Sequence, residues 1–446
     1  MSRMTVVATR KEVVGSIAIP PSKYHLHRAL ILGSLADGET VIEGRSSARH
    51  IRDTLHSLHD LGISVKHTKT GYVVQGGPYV PRTGKVRVGS SGSTLQFLLG
   101  LGSLSVSGAA VYDGVEALRR RPIGPLLRAL ETIGIRTEAQ GDRLPVTVYP
   151  GRPMGGKVSV QGILSQWISG LLMVSPFAAH DTQVEILDPF NERTYIDLTV
   201  SFMRQFGIQL DSDSAERVWS IPCGQAYQPT KIALEADLSS AAFPLIYAAL
   251  HEGRVELTRV RGAGDHPEGR ILEILQQMEV PLEIDPQHDR VVVENKGRRP
   301  RGTEIDMKDI PDLIPALTVL ASLSEGRTVL HNIGPGRLKE SNRVKAVLQL
   351  NKMGAKVEEV GDTLVIDGVP QLYGTNISTY NDHRVLMAFV VAASSAIGKT
   401  DLTFPRAYEI SYPEFLEHMR TLGLNAAITS DAKSVENKEM VGSVAN

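Results

Sequence analysis

Six apolar ladders recur along this chain at a nearly constant interval. They are Leu55, Leu58 and Leu61; Leu127, Leu130 and Ile133; Val200, Met203 and Phe206; Leu272, Leu275 and Met278; Val347, Leu350 and Met353; and Leu416, Met419 and Leu422. Apolar residues three apart lie along one helix face. Each ladder stops at once, at Gly62, Gly134, Gly207, Glu279, Gly354 and Gly423, so that the stops are 72, 73, 72, 75 and 69 residues apart. Glycine is the usual residue just past a helix end. Aliphatic or β-branched runs follow, as in Ile63-Ser64-Val65 and Val357-Glu358-Glu359-Val360. Helix, stop and strand, repeated six times, specify six related α/β units.

A second set of apolar helices is predicted to begin near Lys23, Ser91, Ser165, Ser239, Asp312 and Asp382, again about one repeat apart. Ser and Asp suit the N-cap, and a carboxylate suits the positive end of a helix. Helix N-termini bind anions through free N–H groups. Six such ends pointing inward build one shared anion site. Matching cations lie close by in sequence: Lys23 and Arg28, Arg121, Arg337 with Lys339 and Arg343, and Arg384.

A chain of 446 residues holds two or more domains. Six units suggest three per domain. Pro20-Pro21 and the Pro/Gly/Gln-rich stretch from Pro222 to Thr230 read as the two connectors. The expected division is an inserted domain at 21–230, a second domain of 1–20 plus 231–427, and a disordered tail at 428–446. Two crossings favour closure of the halves around a ligand. With 48 basic and 49 acidic residues the formal net charge is −1, which argues against a nucleic-acid partner held by a bulk basic face. The one cysteine, Cys223, rules out internal disulfides and Cys-based metal clusters. No signal segment and no membrane-length apolar run is read, so a cytoplasmic protein without a membrane partner is expected, and a monomer.

Three segments are richest in chemistry. Gly336-Arg337-Leu338-Lys339-Glu340-Ser341-Asn342-Arg343 places Lys339, Glu340 and Arg343 within reach of one helix face. Taken alone, it also reads as a solvated helix start. Tyr380-Asn381-Asp382-His383-Arg384 opens the apolar run from Val385 to Ala396. Ile310-Pro311-Asp312 opens another, with Asp312 expected as an N-cap and as a candidate general base. Gly89-Ser90-Ser91-Gly92-Ser93-Thr94 is a small-residue turn into a helix. It matches neither a Walker A loop nor a dinucleotide loop.

The order of these pieces resembles the EPSP synthase (3-phosphoshikimate 1-carboxyvinyltransferase) family over about residues 10–425. The resemblance rests on Pro21-Ser22-Lys23, Gly89–Thr94, Arg121-Pro122-Ile123, Ser165-Gln166, Tyr195, Ser239-Ser240-Ala241, Ile310-Pro311-Asp312, Arg337–Arg343, Asn381–Arg384 and Ser411-Tyr412-Pro413. It implies a two-domain inside-out α/β barrel with three repeats per domain. It implies transfer of the enolpyruvyl group of phosphoenolpyruvate (PEP) to a small hydroxylated acceptor, with release of phosphate and without metal or cofactor. By the resemblance, Lys23, Gly92, Arg121, Gln166, Arg343 and Arg384 hold PEP. Asp312 takes the acceptor's proton, Glu340 protonates the PEP methylene carbon, and Lys23 and His383 support the proton traffic. The acceptor falls to Tyr24, Arg28, Ser165, Gln166, Glu192, Tyr195, Asp312 and Lys339.

The acceptor half departs from the family. Ser-Lys-Ser becomes Ser22-Lys23-Tyr24, and a serine before Ser165-Gln166 becomes Leu164. A phosphate-binding serine becomes Glu192. Gly336, His50, Gln96 and Ile410 replace an Asn, an Asp, an Arg and a Lys. Two lost hydrogen bonds to a charged group cost about 3–6 kcal/mol. The expectation is therefore an enolpyruvyl transferase with a rebuilt acceptor site, UMP in a nucleoside-antibiotic pathway being one precedent. The alternative is an EPSP synthase using shikimate 3-phosphate. UDP-N-acetylglucosamine enolpyruvyl transferases are disfavoured because Ala117–Arg121 lacks their reactive Cys or Asp. RNA 3′-phosphate cyclases are disfavoured by the neutral charge. A non-catalytic paralogue is disfavoured by retention of Asp312, Glu340, Lys23 and the arginines together.

Overall fold

The computed structural model describes residues 2–429 apart from residue 10. Its strands form six four-stranded sheets and one short two-stranded one. All six share one plan. In the first, Lys231–Ala233 runs parallel to Gly38–Glu43, which pairs antiparallel with Gly71–Gly76, which pairs antiparallel with Ser64–His67. The sheet around Lys85–Gly89 and Ala110–Gly114 repeats this order strand for strand. So does the one around Glu304–Asp306 and Arg327–His331.

Each ladder forms a helix lying against a sheet. The helices are Arg49–Asp60, Gly124–Thr132, Arg193–Gln205, Ile271–Gln277, Arg343–Val347 continued as a 3-10 turn to Met353, and Phe415–Thr421. The five glycine stops all have φ between 85° and 97°, and Glu279 has φ 58°. All six therefore sit in the left-handed region that ends a helix.

The second set of helices is buried on nearly every face. These inner helices are Lys23–Leu35, Gly92–Leu101, Ser165–Val174, Leu238–Leu250, Ile314–Ser322 and His383–Ser394. An element apolar all round can only be a core element, so helices lie inside and sheets outside. The two hydrophobic cores are separate. One joins Met4–Ile19 to residues from Ala236 onward, and the other runs from Tyr24 to Ile232.

The chain crosses between the cores at two connectors that lie side by side. Ser22 N–H donates to Glu235 O at 2.8 Å, and Asp237 N–H donates to Pro20 O at 2.9 Å. The return crossing is later than the expected 230/231. Lys231–Ala233 is still paired with Gly38–Glu43 in the inserted half, whose core runs to Ile232, while Val13–Ala18 pairs with Gly253–Thr258 in the other half. The tail expected from 428 also begins too early, since Ile428 and Thr429 pair with Met4 and Arg3. Residues 430–446 lie outside the described residues.

All inner helices of a half point the same way, N-termini toward the junction. Their far ends are capped by side chains: His251 meets the carbonyls of Tyr247 and Ser394, and Arg299 donates to those of Leu323 and Ser324. The other ends are left for a site.

Candidate active site

At the junction, the starts of the inner helices at Lys23, Gly92 and Ser165 and the turn at Asp312 line a narrow cleft with about 40 Å³ of free space. Lys23, Tyr24, Arg28, Gly92, Arg121, Ser165, Gln166, Glu192, Tyr195, Asp312, Lys339 and Glu340 line it. Arg343, His383 and Arg384 lie buried directly behind. Every residue expected at the site is thus brought to it. Arg337 is not: it pairs outward with Glu359.

Asp312 is the hub. Its carboxylate accepts from Arg343 Nη1 at 2.6 Å and from the Tyr24 hydroxyl, lies 3.1 Å from Arg384 Nη2, and stands 3.5 Å from Lys339 Nζ. The expected N-cap role does not occur. Pro311–Leu313 is a 3-10 turn whose entry has no side-chain cap, so the carboxylate is turned to the cations instead. Burial alone would raise its pKa, but Arg384, Lys339, Arg343 and Lys23 hold it well below the usual range. Asp312 is held ionised.

Glu340 is 3.5 Å from Arg121 and bonded to Arg343 Nη2. Burial is again outweighed, here by Arg343, Arg121, His383 and His50, and Glu340 is also held ionised. Lys339, Glu340 and Arg343 do not share a helix face. Gly334–Leu338 is a 3-10 turn, the chain is extended at Lys339, and the helix begins only at Arg343. A loop rather than a helical period brings the three together.

Arg343 is fully buried, and its Nε donates to Asp382 at 3.0 Å. Asp382 also caps the helix His383–Ser394 through the N–H groups of Arg384 and Val385. Sequence reasoning saw Asp382 only as a cap. Its second role needed the fold. Arg384 donates to Ser239 Oγ at 3.1 Å and to the Tyr24 hydroxyl. Lys23 has its ammonium 4.6 Å from the centre of the Tyr24 ring. Burial and the Arg384 charge lower its pKa to about 8. His383 has no protein partner at either ring nitrogen, and burial keeps it well below its ordinary pKa, so the ring is neutral.

Gly92 begins its helix behind the Ser91 cap, which accepts from Thr94 N. A Cβ on Gly92 would stand 2.9 Å from Arg121 Nη1, so a glycine here lets the guanidinium approach the helix end. Gln166 donates to Ser93 at 2.9 Å, tying two helix ends together.

The acceptor-side residues are already engaged with one another. Glu192 accepts from Ser165 N at 3.0 Å and Ser165 Oγ at 2.7 Å, and is bonded to Lys339 Nζ. Arg28 faces the cleft but does not offer a free fork. Its donors go to Thr199 Oγ1 and to the carbonyls of Tyr24 and Tyr195. Burial lowers its pKa to about 9. The Tyr195 hydroxyl donates to Glu268, a buried acid that sequence reasoning missed. Burial and the Asp312 charge push Glu268 up to about 8. It lies in a loop with no periodic signal, so only the fold reveals it.

A family model described as EPSP synthase (3-phosphoshikimate 1-carboxyvinyltransferase) matches residues 7–419. A 3-phosphoshikimate 1-carboxyvinyltransferase from Methanocaldococcus jannaschii is 33% identical, the match covering 95% of this chain and 99% of that protein. One from Ruminiclostridium cellulolyticum is 32% identical over 94% of this chain and 99% of its own length. A solved EPSP synthase structure from Acinetobacter baumannii superimposes with a TM-score of 0.81 at 26% identity, covering 96% of this chain and all of that one.

Proposed function

Because the chain belongs to the EPSP synthase family, we propose that it moves the enolpyruvyl group of PEP onto the hydroxyl of a small acceptor and releases phosphate. The observation that carries this reading is the pairing of two ionised carboxylates, Asp312 and Glu340, through one buried arginine, Arg343, beside Lys23 and Arg121. Asp312 removes the acceptor's proton as its oxygen attacks C2 of PEP. C3 gains a proton from Glu340, giving a tetrahedral intermediate. The C2–O bond to phosphate then breaks, C3 returns a proton, and the enol ether and phosphate leave. Phosphate and carboxylate bring several negative charges, which accounts for Lys23, Arg121, Arg343 and Arg384 around one cleft. Glu340 is ionised beside bare arginines. Bound PEP neutralises those arginines, and the carboxyl is then able to take up the proton it delivers.

The relatives are named for 3-phosphoshikimate, which makes shikimate 3-phosphate the acceptor favoured by similarity. No comparison points to UMP. Phosphate release from PEP, measured with shikimate 3-phosphate, shikimate, UMP and UDP-N-acetylglucosamine in turn, tests the reading. Release that depends on one acceptor supports it. Failure to bind PEP at all would sink it.

A further inference from the structure

We infer that Glu192 is a built-in anion that fills the acceptor's charged subsite, so that the acceptor this chain takes carries hydroxyl groups rather than phosphate at that end. The inference rests on the transferase reading and narrows its substrate class. It would displace shikimate 3-phosphate as the acceptor.

The subsite is recognisable by its donors. Ser165 is the first residue of a ten-residue inner helix, and its N–H and hydroxyl point at one spot together with the Lys339 ammonium. A helix N-terminus, a hydroxyl and a lysine form an anion site. The anion there is the chain's own carboxylate, which is 1% exposed. Its position is not a matter of a loose side chain. Glu192 is held in the left-handed region at φ 58°, and its N–H donates to Lys308 O across the junction at 3.0 Å. The next two residues are fixed as well, Arg193 N to Asp309 Oδ1 at 2.9 Å and Thr194 Oγ1 to Asp309 O at 3.1 Å.

Two cations on this side of the cleft are already engaged. Lys339 is matched by Glu192 and Asp312, and Arg28 is tied to two carbonyls and a hydroxyl. Leu164, at the cap position of the same helix, offers no hydroxyl. A phosphate brought here would meet a buried carboxylate at close range with both of these cations already engaged. A neutral hydroxyl would find the reverse, a side-chain acceptor of hydrogen bonds already held in place.

Calorimetric titration of shikimate 3-phosphate and of shikimate onto the intact chain and two variants tests this. Glu192→Ser removes the internal anion and frees its donors. Glu192→Gln keeps the shape and removes the charge, and so serves if the smaller side chain unsettles the loop. Shikimate 3-phosphate is expected to bind on the order of a hundredfold tighter to Glu192→Ser, and at least about tenfold tighter to Glu192→Gln, than to the unaltered chain. Shikimate should gain in neither. The inference is overturned if neither variant gains affinity for shikimate 3-phosphate. A parallel titration with PEP alone reports on the transferase reading separately: absent PEP binding removes that reading and leaves the comparison at residue 192 standing.

Discussion

Lys23 and Glu340 both carry charges that their surroundings set against their work. Lys23 reaches the PEP end of the cleft as a cation, yet burial and Arg384 bring its pKa to about 8. A bound anion favours the protonated form. PEP affinity should therefore be level below pH 8 and fall above it, up to tenfold per unit, as the ammonium is lost. Lys23→Arg should move that alkaline limb upward, because arginine keeps its proton. An unmoved limb would assign it to another group. Glu340 presents the opposite case, an acid that starts ionised. Glu340→Gln should lower kcat by roughly 10²–10⁴ while leaving the KM for PEP unchanged or lower, since the variant removes a like charge from an anion site. Full turnover in that variant would take Glu340 out of the mechanism. Lys23 was legible because it sits at a helix start in a recurring position, and Glu340 because it lies in the dense charged stretch from Arg337 to Arg343. Glu268 was not, and the partners of Arg28 were not, for one reason: what a charged group does depends on partners from distant elements. Arg28 binds carbonyls of its own helix and of the helix at Arg193–Gln205, and neither is visible in the run of residues around it.

The elements themselves were largely written in the ladders. An apolar repeat of three ending in glycine has one local solution, a helix with a left-handed stop, and five of six units use it. The sixth is informative. Glu279 adopts φ 58° where its counterparts are glycines, and its only visible compensation is an exposed 3.3 Å pair with Arg301. Surface pairs of that kind are worth little. Glu279→Gly should therefore stabilise the chain by roughly 0.5–1 kcal/mol, whereas Gly207→Ala should destabilise it by about 1 kcal/mol. Urea unfolding midpoints would measure both, and a lower midpoint for Glu279→Gly would refute the argument. Sheet membership was harder to read. The strand at 231–233 stays with the inserted half by pairing with Gly38–Glu43, and no local pattern sets it apart from a strand beyond the crossing. The Asp312 cap failed in the same way. A proline-led 3-10 turn replaced the expected first helical turn, and the carboxylate was claimed by Arg343 from the ladder helix of the same unit and Arg384 from the next unit.

At the scale of the whole molecule, the two halves are joined by two short antiparallel connectors, Ser22–Glu235 and Pro20–Asp237, and meet again only across the cleft. That geometry is a hinge. Polar contacts between side chains and backbone of the two halves close it, among them Lys339 with Glu192, Arg121 with Glu340, Tyr24 with Asp312, Tyr195 with Glu268, and Asp309 with the start of the helix at Arg193. Free space of about 40 Å³ is far below the roughly 300–1,000 Å³ of ordinary small-molecule sites, so the halves are expected to part when substrate enters. Asp309 offers a way to bias this motion without touching the acid, the base or the cations. Its carboxylate supplies a partly exposed hydrogen bond to a helix N-terminus in the other half, an interaction worth about 1 kcal/mol. Asp309→Ala should therefore shift the ligand-free molecule several-fold toward the open state. X-ray scattering should give a larger radius of gyration for Asp309→Ala than for the unaltered chain. Saturating PEP and acceptor should bring the two values together, since substrate charges then draw the halves closed. Equal radii for both proteins, with and without ligands, would mean that the halves move as one body and that substrate enters by some other path.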